Sequence, residues 1–126
     1  MSLFAPGIIT ALAFFILSLA SGIWLTRLGK PLNILILTLH KLISVAAAIF
    51  TGLAIYYPSR TVVINTLKFS AITGAGLLFL ILIISGAVLS DGKPGKNAVL
   101  DVHKFTPLLA LLCTAVALLL LSGGQS

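Results

Sequence analysis

Charged side chains divide this chain into long apolar runs. Residues 1–26, 42–59, 69–90 and 105–126 carry no charge at all, and every Lys, Arg and Asp falls between them. A bilayer's hydrocarbon is crossed by about 20 residues of helix, so the pattern predicts four membrane spans, at about 7–25, 32–57, 69–89 and 97–121. Pro6 precedes the first span, and Trp24 lies near its far end, where an indole suits the interface. A turn follows at Arg27, Gly29, Lys30 and Pro31. Tyr56, Tyr57 and Pro58 close the second span with interfacial rings and a helix stop. A loop over 58–68 leads to the third span, and Ser90–Lys96, with its Asp91-Gly92 and Pro94-Gly95 turn signals, leads to the fourth. The predicted fold is all-α: an integral membrane four-helix bundle forming a single transmembrane domain over 1–126. The amino-terminal run is read as the first span, since it lacks the basic start of a cleaved leader.

Composition agrees with the pattern. The 126 residues are 60% hydrophobic and 8% charged, against about 25% charged in soluble domains. No room is left for a soluble catalytic lobe or a nucleic-acid module. The net charge of +6 comes from residues scattered beside span ends, which reads as orientation and not as a nucleic-acid stripe. Arg27, Lys30, Lys41, Lys93, Lys96 and Lys104 belong to the first and third loops or the helix starts they feed, against Arg60 and Lys68 on the other side. The positive-inside rule therefore places those loops in the cytoplasm and both termini outside; the expected location is a bacterial or archaeal cytoplasmic membrane. Cys113 stands alone and builds neither a disulfide nor a thiolate cluster.

The two halves, about 1–60 and 61–126, resemble each other. A shift of 63 carries His40, Lys41, Ala47, Thr51 and Ala54 onto His103, Lys104, Ala110, Thr114 and Ala117. A shift of 64 carries Ala11, Phe15, Ser21, Gly22 and Leu25 onto Ala75, Phe79, Ser85, Gly86 and Leu89. After each histidine the matched small residues recur at helical spacing along one face. The bundle is thus expected to be two tandem two-helix repeats about a pseudo-twofold axis along the membrane normal. Small faces turned inward would bring His40 and His103 face to face at equal depth. His40 is seven residues past Asn33, about 10 Å into the span.

These are the only histidines in the chain. Alone, either would suit a headgroup or a neighbouring carbonyl; as an opposed pair inside a membrane they suggest a shared ligand. A flat macrocycle on the axis needs one neutral imidazole from each side, small residues beside it, aromatic packing beneath, and cations for its propionates. His40 and His103 are the candidate metal ligands. Gly22 and Gly86 share their layer, and Phe15 and Phe79 form a floor two turns deeper. Arg27, Lys30, Lys41 and Lys104 are the cations that would face the propionates. One haem b per chain satisfies this set. Zinc fits less well, since it wants four ligands and no carboxylate or thiolate lies at that depth. Asp91 and Asp101 are the only acids, the first in a loop and the second read as part of the first turn of span four. Hydrolysis and phosphoryl transfer have no residues to run on. Thr51 and Thr114 are expected to bond within or across the helices. Pro107, which replaces Ser44 of the first half, is expected to kink span four and free the His103 carbonyl.

On His40, His103, Gly22 and Gly86 the chain is similar to the membrane b-type cytochromes, whose transmembrane bundles hold haem between histidines of two helices with glycines against the ring. That resemblance implies electron transfer and makes quinone or a redox partner subunit the candidate partner; association of identical copies is compatible with it. Many such proteins carry two haems and four histidines, so the two histidines here imply one haem. The protein then reads as an electron carrier or redox-complex subunit more than a stand-alone enzyme. Two other readings remain open at this stage. One is a small four-span transporter, weakened by the absence of an ionisable residue in span one. The other is a cofactor-free assembly subunit of the membrane.

Overall fold

The computed structural model describes residues 6–29, 31–91, 93 and 95–123. Among them are four helices: α1 (Pro6–Leu28), α2 (Ile34–Ser59), α3 (Thr66–Leu89) and α4 (Asn97–Gly123). All four are long and apolar enough to cross a membrane, and the protein is an integral membrane four-helix bundle.

What lies inside and outside explains how a chain this greasy packs. The buried positions are mostly small: Ala11, Ala47, Ala54, Ala75, Ala110 and Ala117, with Ser21, Thr51 and Ser85. Leu, Ile, Val and Phe dominate the exposed surface, with Ile34, Val63 and Phe105 among the barest. A soluble domain would invert this arrangement. In a bilayer, lipid already solvates large apolar side chains, so helices associate by close approach at small ones. The matched alanines of the two halves are buried pair by pair, so the inward-facing small stripe read from the sequence is where it was expected.

Helix ends follow local chemistry. Gly29, at φ +72°, terminates α1 in the left-handed region that a side chain would resist. Asn33 caps α2 by accepting from the Ile36 N–H at 3.2 Å, and Asn65 caps α3 by accepting from Lys68 N–H at 2.9 Å. The α3 cap starts that helix three residues ahead of the expected span. Lys68 therefore lies in its first turn, buried, with Nζ donating to the Val63 carbonyl at 3.0 Å. Pro58 does not stop α2, which runs on to Ser59. It removes only its own N–H, and its carbonyl still accepts from the Thr61 N–H at 3.1 Å. Asp101 is the fifth residue of α4, beyond the first turn, so its role at the helix dipole is withdrawn. Trp24, Tyr56 and Tyr57 face outward.

The helices pair as two hairpins, α1 on α2 and α3 on α4, both closely packed. Between hairpins the contact is thin and runs chiefly through α2 and α4. A small cluster of Ala11, Ala54 and Leu118 joins them, and so does an edge-on contact of Phe15 with Phe79, ring centres 6.1 Å apart.

Candidate functional site

Each histidine is hydrogen-bonded within its own hairpin. His40 on α2 leans toward α1, where the Ser21 Oγ lies 2.9 Å from its Nδ1. His103 on α4 leans toward α3, where the Ser85 Oγ lies 2.7 Å from its Nδ1. Both serines are buried, and each hydroxyl also reaches a carbonyl one turn back: Ser18 at 3.0 Å and Leu82 at 3.2 Å. The next residue in each case is the glycine of the layer. A Cβ on Gly22 would stand 3.0 Å from the His40 Cε1, and one on Gly86 would stand 3.2 Å from the His103 Cε1. The glycines therefore make room for the imidazoles themselves, letting the Cε1 corner of each ring approach the neighbouring helix.

The two rings meet across the gap between hairpins, with centres 6.3 Å apart and planes at 81°. Neither Nε2 has a hydrogen-bond partner among the described residues. No third His, Cys, Asp or Glu joins them to form a metal cluster among those residues. Two cavities flank the pair, of about 400 and about 480 Å³, within the size range of cofactor sites. Both are lined by His40, His103, Gly22 and Ser44. The first runs down to Phe15 and Phe79 and has Arg27 and Lys104 on its wall. The second opens toward the loops, past Gly86, Lys41, Lys93 and Lys96.

The structure thus brings together His40, His103, Gly22, Gly86, Phe15, Phe79, Arg27, Lys41 and Lys104 around one gap. Lys30 lies outside the described residues, as do Gly92 and Pro94 of the matched turn. The Thr114 hydroxyl is buried and has no hydrogen-bond partner among the described residues, contrary to the expectation that it bonds within or across the helices. Ser21 and Ser85 were legible as a matched pair, yet nothing in the sequence tied them to the histidines. Their signal was position, since each directly precedes the layer glycine. Ser18 was not legible at all. Its Oγ lies 2.6 Å from that of Ser44 on the wall of the first cavity.

Comparison of the chain with protein families, curated proteins and solved structures finds no match in any of the three. The site has to be read from its own geometry.

Proposed function

We propose that this protein is a membrane haem b protein that passes electrons, with one haem held between His40 and His103. The observation that carries the reading is the ring pair: two imidazoles from separate hairpins, centres 6.3 Å apart, with Nδ1 engaged and Nε2 unpartnered. Metal–imidazole bonds of about 2.0 Å, plus roughly 1.1 Å from nitrogen to ring centre on each side, ask for centres about 6.2 Å apart. Rotating either ring about its bond leaves that distance unchanged, so planes at 81° are no obstacle. Two histidines do not complete a metal site by themselves, so a haem, which brings its own ring nitrogens, would suit this donor set. The cavities beside the histidines are walled mostly by apolar side chains, which would suit the faces of a macrocycle.

Bound haem supplies reversible one-electron chemistry, with its potential set by the axial ligands and their surroundings. The chain's own part is to hold two neutral imidazoles in register, exclude lipid from between them, and set cations near the propionates. Arg27 and Lys104 would serve on one side, Lys41 on the other. Basic residues near the first and third loops support a topology with the histidine layer toward the cytoplasm and both termini outside. Electrons would then enter and leave on one side, exchanged with quinone, a redox partner subunit or a second copy of the chain.

The test is a dithionite-reduced minus oxidised spectrum of protein purified from haem-replete cells. Sharp haem b bands are expected, and neither His40→Ala nor His103→Ala should retain them. A colourless wild-type protein overturns the reading.

A further inference from the structure

We propose that Ser21 and Ser85 are positioning residues that lock His40 and His103 in the Nδ1–H tautomer, so that both present an Nε2 lone pair to the gap between hairpins. What the lone pairs receive rests on the haem reading above; the lock itself does not.

A serine hydroxyl has one hydrogen and can accept two more bonds. Ser21 Oγ stands 3.0 Å from the Ser18 carbonyl and 2.9 Å from the His40 Nδ1. Ser85 Oγ stands 3.2 Å from the Leu82 carbonyl and 2.7 Å from the His103 Nδ1. A carbonyl has no proton to give. If the hydroxyl donated to Nδ1, the serine and carbonyl oxygens would face each other without a hydrogen between them, in surroundings that supply no substitute. One assignment alone gives every contact a proton: the hydroxyl donates to the carbonyl, and Nδ1–H donates to the hydroxyl. A neutral imidazole protonated at Nδ1 has its lone pair at Nε2. Two unrelated accidents would not repeat this relay in both halves, where the serines are 64 residues apart and the histidines 63.

The consequence for ligation is preorganisation. A ligating histidine usually has its other ring nitrogen donating to a carboxylate, a carbonyl or water, which fixes the ring and raises its basicity. No carboxylate lies beside either Nδ1 here. The backbone carbonyl takes that role at one remove, relayed through a hydroxyl. Glycine at 22 and 86 completes the arrangement by letting each ring press against the helix that carries its serine.

The experiment uses the full chain in detergent, without haem, with ¹⁵N-labelled histidine. Long-range ¹⁵N–¹H correlations of the imidazole distinguish a protonated from an unprotonated ring nitrogen. Both histidines are expected in the Nδ1–H form, whereas imidazole free in water favours Nε2–H. Ser21→Ala should release His40 toward the Nε2–H form and leave His103 unchanged; Ser85→Ala should do the reverse. Serine-to-threonine variants, which keep the hydroxyl, should restore the lock. On the haem-loaded protein each alanine variant should weaken haem retention about tenfold or more and raise the midpoint potential, since a less basic ligand favours the reduced metal. Nε2–H histidines in the wild type overturn the proposal, as do alanine variants whose tautomers do not move. Locked tautomers in a protein that never takes up haem would sink the haem reading and leave the serine relay standing.

Discussion

Ser18 and Ser44 share a 2.6 Å hydrogen bond in the first hairpin; the repeat puts Leu82 and Pro107 at the same places in the second. All four side chains line the same cavity. On one wall two hydroxyls satisfy each other. On the other, proline withholds the N–H that the His103 carbonyl would receive, four residues back. Nearby, Thr106 sends its hydroxyl to the Val102 carbonyl at 2.5 Å. The helix starts differ as well. Asn33 caps α2 with its side chain, while the matched position ahead of α4 is Lys96. Its Nζ reaches back to Asp91 at 2.6 Å and to the Val88 carbonyl at 2.9 Å. Against these differences, the serine, glycine and histidine of each hairpin keep nearly the same distances. Selection on a common geometry would leave such a record: the layer is kept, and the supports around it vary.

That contrast can be broken at its strongest point by giving α2 the proline of α4. Ser44→Pro removes the serine pair and a helix hydrogen bond together. It should lower unfolding stability by about 3 kcal/mol, read from thermal melts in detergent by far-ultraviolet circular dichroism. A melt unchanged from wild type would show that the gap tolerates either wall.

The glycines give a finer comparison. Gly22→Ala and Gly86→Ala both force a methyl against an imidazole, at 3.0 and 3.2 Å from Cε1. Overpacking of this kind costs about 1–3 kcal/mol. Gly22→Ala should be the worse of the two, in melting temperature and in displacement of the histidine ¹⁵N signals. Equal effects would mean that the rings move aside freely.

The smallest effect concerns the acid in the third loop. Lys96, first by its hydrogen bond to Asp91, holds that carboxyl below its ordinary range. A depressed acid stabilises the fold fully above its unfolded value of about 3.9 and loses that contribution as pH falls through the lower folded value. Melting temperatures of wild type and Asp91→Asn should differ slightly and constantly from neutral pH down to about 5, then converge below about 4. The pair is exposed, so added salt should shrink the difference. The first hairpin has no acid in its loop and should contribute nothing to this convergence.

Most of the architecture was legible because charge and hydropathy impose it. Charge-free runs named four helices, and the small residues at repeat spacing named their inner faces. Boundaries failed where a charged or proline residue was taken for loop. Lys68 is in the first turn of α3 because its long stem lets Nζ fold back on the Val63 carbonyl. Pro58 is inside α2 because a proline in the last turn sacrifices little. At the site, the opposed histidines followed from the repeat alone. The serine relay did not, because which side of an imidazole meets a hydroxyl is fixed by side-chain direction, and helical spacing leaves that open.

The orienting contacts around the histidines all stay within one hairpin: Ser21 and Gly22 with His40, Ser85 and Gly86 with His103. Each hairpin is a finished half-site, and the seam between the two is thin. The molecule is in this respect a covalent dimer whose connecting segment, near residues 60–65, acts as a tether. The tether's work is to raise the effective concentration of one half for the other. A ligand that bridged the two rings would fasten the halves together, making binding at the seam and assembly of the bundle one event.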